Sequence, residues 1–586
     1  MIVITGAGLL SAIGTNQAET LQSLRDARAG LHPVRFLPTV HRELPVGEVP
    51  LSDDELRRLA QAPEARSRTA LMGMIALREA LTQAQITPQL IADTALVSGT
   101  TVGTMDCTER EFARTGRVEQ LGDCAEATRE MADHIGPFAF VTTCSTACSS
   151  AANAFILGAN LIRSGRFDRV VVGGSECLSR FHFNGFRALM ILDSQPCRPF
   201  SHDRAGLNLG EGAAFVVLER ESAARARGVR PLAVLEGWGN ACDAYHQTAT
   251  SENGEGPYLA MTQALRRAGV APRDVDYVNA HGTATPNNDV TESAALRRVF
   301  GDNLPQISST KAFTGHTTSA SGSIEAVICL LALQHGFVPP NLRWDGGDDS
   351  LIRPVVDPPA HTPLRRALCN AFGFGGNDTA LLLATPEAAA AHRDTVLPDA
   401  PSQPLRPVYV KQCVRFADLA PEQLPKIPPM VARRLSGVLK RALQTSLVVL
   451  ERADCPHPDA IVTGTAMGCV RDTEAFLREM VERDEQLLQP THFIHSTHNT
   501  IGALIAIRTG THGYNNTFSH GEASFEAALL DAQLLLALGE AEQALVGAHD
   551  EDGECTVCFL DTEANGALCR LDAPMSAAEL CRNSIV

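Results

Sequence analysis

Short apolar runs recur along the first 386 positions: MIVITGAG at 1–8, TALVSGTTVG at 94–103, RVVVGGSE at 169–176 and GAAFVVLE at 212–219. Runs this brief and this rich in Val and Ile predict strands buried on both faces. Between them, RTALMGMIALREALTQA (68–84) and SSAANAFILGANLIRSG (149–165) space their apolar residues as helices do. Buried strands alternating with helices predict an α/β layered fold. The pattern breaks at 387–405, EAAAAHRDTVLPDAPSQPL, which is polar and proline-rich and reads as a linker. A strand pattern starts again at VYVKQCV (408–414). The expected organisation is therefore a first domain over 1–386, a linker over 387–405, a second region over 406–562, and a tail over 563–586 to which the pattern assigns nothing.

The second region repeats part of the first. DAIVTGTAMG (459–468) matches TALVSGTTVG, glycine for glycine, and Arg433 precedes Gly464 by the same interval that separates Arg68 from Gly99. FEAALLDAQLLLALGEAEQALVGAHDE (525–551) matches AANAFILGANLIRSGRFDRVVVGGSEC (151–177), keeping Gly539 with Gly165 and Gly547 with Gly173. In that register Glu522 stands where the first copy has Cys148. Only the front half of the first domain is repeated.

Composition narrows the function. A net charge of -17 argues against a broad nucleic-acid surface. The longest aliphatic runs, such as LLLAL at 534–538, are too short to span a bilayer. Met1 leads directly into VITGAG without a signal-like segment, so the expected location is cytoplasmic. The 16 cysteines show no paired framework; most read as small buried hydrophobes, leaving room for one reactive thiol.

The candidate for that thiol is Cys148 in TTCSTACSSAANAF. A helical pattern starts just after it, and the positive end of a helix dipole is expected to lower its pKa. His281 lies in VNAHGTATPNND at a strand end. His316 lies in SSTKAFTGHTTSASGSIEA, with Lys311 before it and Glu325 after. One cysteine at a helix start, with two histidines and a lysine on strand-end loops, suits nucleophilic acyl chemistry. NAFGFGGNDTALLL (370–383) adds a Gly-rich loop; it reads either as a close approach to a ligand or as a plain hairpin turn.

TACSS, RPFSHDRAGLNLGEGAAFVVLE, NAHGTATPNND, STKAFTGHTTSASGSIE and NAFGFGGND, in that order, resemble the elongating 3-oxoacyl-[acyl-carrier-protein] synthases, whose fold is thiolase-like, layered α-β-α-β-α. The resemblance spans 1–386. It implies a cysteine nucleophile at Cys148, histidines at His281 and His316 that assist decarboxylation and hydrogen-bond the enolate, and an oxyanion hole from the N–H groups of Cys148 and Phe374. It further implies a gating role for Phe374, loop-ordering roles for Lys311 and Glu325, and a structural carboxylate, Asp289, near His281. No metal or organic cofactor is implied. The implied partners are acyl- and malonyl-carrier protein. A degradative thiolase would carry a cysteine in the GFGGND loop, and an initiating synthase would pair His with Asn; neither holds here.

HFIHSTHNTIGALIA (492–506), HGYNNTFSHGEASFEAALLDA (512–532) and GTAMGCVRDTEAFL (464–477) resemble the truncated ketosynthase-like, chain-length-factor-like proteins of aryl-polyene and flexirubin-type pathways. That likeness implies a catalytically dead half-copy that shapes chain length, and either a homodimer or a pseudo-dimer of the catalytic domain with its own C-terminal region. The rival expectations are ordinary fatty-acid elongation and a non-catalytic scaffold that binds carrier protein. Arg66 and Arg68, expected on an exposed helix, are candidate contacts for an acidic carrier protein. His492, His495 and His498 have a spacing that invites a metal, but no further ligand completes the set in the sequence, and none is assigned.

Overall fold

The computed structural model describes residues 1–116, 122–392, 404–551, 553 and 555–583. In chain order, β1 (Ile2–Ser11), β2 (Ala95–Gly99), β3 (Phe140–Cys144), β4 (Arg169–Glu176) and β5 (Gly212–Arg220) form a first block. A second block holds β6 (Ala233–Cys242), β7 (Tyr277–Asn279), β8 (Gln306–Ser308), β9 (Arg366–Gly373) and β10 (Asn377–Ala384). The C-terminal block holds β11 (Tyr409–Arg415), β12 (Ala460–Gly464), β13 (Tyr514–Phe518), β14 (Gln543–His549), β15 (Cys555–Asp561) and β16 (Cys569–Arg570). The helices that matter below are α1 (Arg68–Gln83), α2 (Ser150–Arg163), α3 (Arg180–Ala188), α4 (Pro286–Phe300), α5 (Ser321–His335), α6 (Gly437–Arg452), α7 (Val470–Glu482), α8 (Pro490–Ser496), α9 (Thr500–Thr509) and α10 (Ser524–Ala537).

These strands make one sheet in the order β8-β7-β9-β10-β6-β1-β5-β4-β2-β3-β13-β12-β14-β15-β11-β16. The order is one pattern used three times. In each block three strands run parallel and an antiparallel pair completes the set, as in β3-β2-β4-β5-β1. The C-terminal block repeats this as β13-β12-β14-β15-β11. The repeat legible in the sequence is thus also a repeat of topology, and the matching glycines tie the C-terminal block to the first block.

Two helices explain the layering. Every residue of α2 is buried, as is α5 from Ser321 to Leu333. A helix that is apolar on all sides needs cover on all sides. Here α2 and α5 pack on each other between the first two blocks, and Gly322 lets α5 approach so closely that an added Cβ would lie 2.9 Å from that of Ala152. Outer helices such as α1 cover the far faces, giving the α-β-α-β-α order that the resemblance implied.

The C-terminal block joins along the free edge of β3. Phe518 pairs antiparallel with Cys144, flanked by Ser145 N–H to Thr517 O (2.8 Å) and Ser519 N–H to Thr143 O (3.1 Å). β3 and β13 are equivalent strands of their blocks, so the contact is close to self-symmetric. Polar side chains fasten it: Arg163 and Arg267 share the Glu540 carboxylate, and Asn515 N–H donates to Asn240 Oδ1 at 2.8 Å.

Two expectations change. Pro386–Ala391, at the start of the segment read as a linker, is a short helix capped by the Thr385 hydroxyl; residues 393–403 of that segment lie outside the described residues. The tail is not featureless. β16 pairs with Tyr409 and Val410, the helix Ala577–Asn583 buries Leu580, and Gln533 Nε2 donates to Leu571 O. Residues 584–586 lie outside the described residues. Among the described residues no helix is long and apolar enough to cross a membrane.

Candidate active site

β3 ends at Cys144, and the chain must turn sharply to enter α2. Ala147 takes the turn in the left-handed region, φ 51°, a conformation an L residue holds only at a cost. Ser150 ties the turn: its hydroxyl accepts from Thr146 N–H (2.8 Å) and donates to Ala147 O (2.7 Å). Gly99 makes room beneath, since a Cβ there would meet Ala151 N at 2.4 Å. The result presents Cys148 just ahead of α2, 5% exposed, with Sγ 3.1 Å from His316 Nε2.

The thiol departs from the sequence expectation. Burial pushes its pKa up to about 12, against the pull of Lys311 and of the backbone N–H groups of Phe374 and Cys148. Desolvation of a thiolate outweighs the helix start that was expected to lower the value. The same geometry brings the N–H groups of Phe374 and Cys148 onto one sulfur.

His316 follows Gly315, whose φ of 72° turns the chain inward. Its N–H donates to Asn208 O (2.7 Å), and its carbonyl accepts from Gly210 N–H (2.9 Å), so the GLNLGEG segment holds it. His281 follows β7. Its ring lies 5.3 Å from that of His316, edge to face at 86°. Burial and the nearby Lys311 charge hold both histidines well below their usual pKa, hence neutral. Lys311 Nζ pairs with Glu325 Oε1 at 2.5 Å, both buried.

Asp289 does not hold His281 itself. Its carboxylate accepts from Ala284 N–H (3.1 Å) and Phe200 N–H (2.7 Å). The carboxylate beneath His281 is Glu292, which accepts from the N–H groups of His281 (2.8 Å) and Gly282 (2.7 Å). Burial pushes Glu292 up to about 7. Sequence reasoning missed it, although NNDVTE places Asp289 and Glu292 one turn apart at the start of α4, and that spacing was the available signal.

The GFGG segment is a hairpin turn, one of its two readings. It is the hairpin between β9 and β10, with Gly375 and Gly376 at φ 84° and 74°, and it carries Phe374 to the thiol. The Phe374 ring stacks on Phe186 of α3 at 5.7 Å and 18°. Cys148, His281, His316, Phe186 and Phe374 line one cavity of about 390 Å3. A cleft of about 480 Å3 lies elsewhere, between the blocks around Trp238 and Glu540, and no cysteine lines it.

Arg68 is not a surface contact. Its side chain is 8% exposed, and it reaches Glu211 through Nε (2.9 Å) and Nη2 (2.6 Å) and Asp53 through Nη1 (2.8 Å). The helix pattern hid this because α1 buries the face that carries it. Arg66 is exposed but lies before α1, not on it. His492 and His495 both turn toward Asp472, at 2.9 and 3.6 Å, a carboxylate that spacing alone did not reveal; His498 turns away, to the Ser145 hydroxyl at 3.2 Å. Among the described residues no group of three such side chains is arranged to hold a metal ion. Glu522 is exposed at the start of α10.

Residues 1–224 match the family described as "Beta-ketoacyl synthase, N-terminal domain" and residues 232–345 its "C-terminal domain"; residues 410–558 match an N-terminal domain description a second time. The chain is similar to the 3-oxoacyl-[acyl-carrier-protein] synthase 2 of Vibrio harveyi, 30% identical over 65% of this chain and 97% of that protein. It is similar to the solved ishigamide ketosynthase/chain length factor, with TM-score 0.60 and 30% identity over 66% of this chain and 98% of that one. The PfaC keto synthase-chain length factor covers 97% of this chain with TM-score 0.76, over 80% of its own length; at 15% identity that likeness concerns the fold.

Proposed function

This chain belongs to the beta-ketoacyl synthase family, and on that premise we propose that it joins an acyl group to malonyl units on a carrier protein by decarboxylative Claisen condensation. The observation that carries the reading is convergence. Cys148, His281 and His316 come from three distant segments and two blocks, yet they line one cavity, with the thiol 3.1 Å from one imidazole and the two imidazoles in contact.

In the proposed chemistry the Cys148 thiol passes its proton to neutral His316 Nε2 as Sγ attacks the incoming acyl thioester. The tetrahedral oxyanion sits between the N–H groups of Cys148 and Phe374; such a donor is commonly worth about 3–4 kcal/mol. The carrier thiol leaves with the proton, and the acyl group stays on sulfur. A malonyl thioester then enters and loses CO2, and its enolate oxygen accepts hydrogen bonds from the ring N–H groups of His281 and of His316, the latter now in its Nε2–H tautomer. The enolate carbon attacks the acyl carbonyl, a C–C bond forms, the C–S bond to Cys148 breaks, and the departing thiolate takes a proton from solvent. Burial keeps both imidazoles neutral, and Lys311, paired to Glu325, adds a positive field that acts the same way. Glu292 and Asp289 hold the His281 loop. Loss of CO2 drives the sequence, and positioning does the remainder.

The C-terminal block supports a chain-shaping role in polyene- or polyketide-type synthesis. Phe476 of α7 and Phe493 of α8 pack on Phe181 and Phe186 of α3, at the wall of the reaction cavity. Gly185 admits Phe493, whose ring would lie 2.2 Å from a Cβ there. In this proposal the ketosynthase part and its chain-shaping part pair within one chain, because β13 occupies the β3 edge. Ordinary fatty-acid elongation leaves that block without a task, and a scaffold leaves the assembled histidines without one.

The test is mass spectrometry of products from purified acyl- and malonyl-carrier proteins. The expected product is a 3-oxoacyl chain two carbons longer, absent with Cys148→Ala. No condensation across a range of acyl lengths sinks the reading.

A further inference from the structure

We propose that Asn499, a residue of the C-terminal block, is a positioning residue of the reaction centre, its side-chain amide latching the Phe374 loop and setting how readily that loop opens. The inference rests on the ketosynthase reading and adds to it a specific mechanical link between the silent block and the reactive one.

Asn499 lies between α8 and α9 and is 1% exposed. Its Nδ2 donates to the carbonyl of Phe374 at 2.7 Å. Its Oδ1 is buried without a hydrogen-bond partner among the described residues. The amide is therefore held by this one contact rather than by a satisfied network, although a buried polar atom is ordinarily satisfied. Next along the loop, a Cβ on Gly375 would stand 2.9 Å from Asn499 Nδ2 and 2.8 Å from Ala503 Cβ, so α9 presses on the turn itself. From the other side, the Phe374 ring stacks on Phe186, and Phe186 lies 5.6 Å from Phe493. A single C-terminal segment, 493–503, thus supports both the ring and the carbonyl of the residue whose N–H faces Cys148.

Two consequences follow from geometry. The peptide accepting the Asn499 bond adjoins the peptide whose N–H points at the sulfur, so freeing one loosens the other. An acyl chain passing under Phe374 must move the ring off Phe186 and shift the loop, and that motion strains or breaks the Asn499 bond. The C-terminal block then governs access to a site to which it contributes no reacting group.

The experiment uses the full chain with Asn499→Ala, Asn499→Asp, which keeps the shape but loses the donor, and Asn499→Gln, which keeps a donor. Three quantities are read: iodoacetamide modification of Cys148, condensation with acyl- and malonyl-carrier proteins, and thermal midpoint. The latch predicts opposite movements. Alkylation rises severalfold in Ala and Asp as the loop frees. Condensation kcat falls about tenfold, as for a modest misplacement of a donor, with KM for malonyl-carrier protein little changed. Gln recovers part of both, and the thermal midpoint stays close to wild type. Unchanged alkylation and condensation in Ala and Asp overturn the latch. A joint fall of alkylation, condensation and thermal midpoint overturns it too, because a merely structural residue behaves that way. If the wild type does not condense, the functional reading has failed, and the alkylation contrast still decides the latch.

Discussion

At the end of β3 and at the end of β13 the chain makes the same turn, and in the proposed reaction only the first of the two takes part. Thr146 N–H donates to Ser150 Oγ at 2.8 Å, and His520 N–H donates to Ser524 Oγ at 2.8 Å; each serine hydroxyl then reaches back to the carbonyl at the corner, Ala147 O or Gly521 O. Gly99 and Gly464 clear the space beneath each helix start. The corner residues share a left-handed φ, 51° at Ala147 and 57° at Gly521. The differences lie in what surrounds the next residue. Cys148 is buried under His316, His281 and the Phe374 loop, all from the second block; Glu522 is exposed, and the C-terminal region has no second block to cover it. A conserved backbone turn is therefore not an active site. The proposed chemistry needs the pairing of two blocks, and the third block meets the first along an edge, not face to face.

The comparison breaks most visibly by mutation of the two corners. Cys148→Ala should abolish product, whereas Glu522→Ala should leave the condensation rate within about twofold, the ordinary result away from a buried feature; product mass spectrometry reads both. Equal losses would mean that the second corner takes part in the reaction. Removal of His281 or His316 as alanine should lower the condensation rate by about 10²–10⁴, the range for groups that move or hold a proton in the transition state.

A pH series sharpens the contrast further. The thiolate is the nucleophile, and with the Cys148 pKa near 12 its fraction grows about tenfold per pH unit throughout pH 7–9. Alkylation of Cys148 should climb over that whole range without levelling. A thiol placed by Glu522→Cys is exposed and should level off about pH 9, as ordinary cysteine does. A plateau for Cys148 below pH 8 would show that the helix start and Lys311 overcome burial after all.

The smallest effect concerns strain. Gly521→Ala should cost about 1 kcal/mol, because an L residue at φ 57° is disfavoured and its Cβ would stand 3.0 Å from Asp123 Oδ2. Thermal unfolding measures it, and an unchanged midpoint would mean that the turn relaxes.

Much of this was legible in the residues. The strands RVVVGGSE and GAAFVVLE and the helix after Cys148 follow from short apolar runs and helical spacing, which are local properties. The half-copy was legible because glycines at close-packing sites, Gly99 and Gly464, and at left-handed turns, Gly165 and Gly539, keep their intervals. Arg68 was misread because helical spacing does not say which side of α1 faces inward, and Glu211, its partner, lies far along the chain. Glu292 was missed because its work is to accept two backbone N–H groups, and its place one turn after Asp289 was the one trace of that in the sequence. The thiol's raised pKa was missed because the sequence shows the helix start but not the depth of burial.

Local properties of the chain set the buried strands, the half-copy, and the contrast between Cys148 in the first copy and Glu522 in the second, since periodicity and residue chemistry are written locally. The tertiary structure alone decided that two blocks face each other across α2 and α5, that His316 comes within 3.1 Å of Cys148, and that Asn499 reaches Phe374. Those contacts join residues more than a hundred positions apart, and only the packing of buried helices and the pairing of sheet edges brings them together.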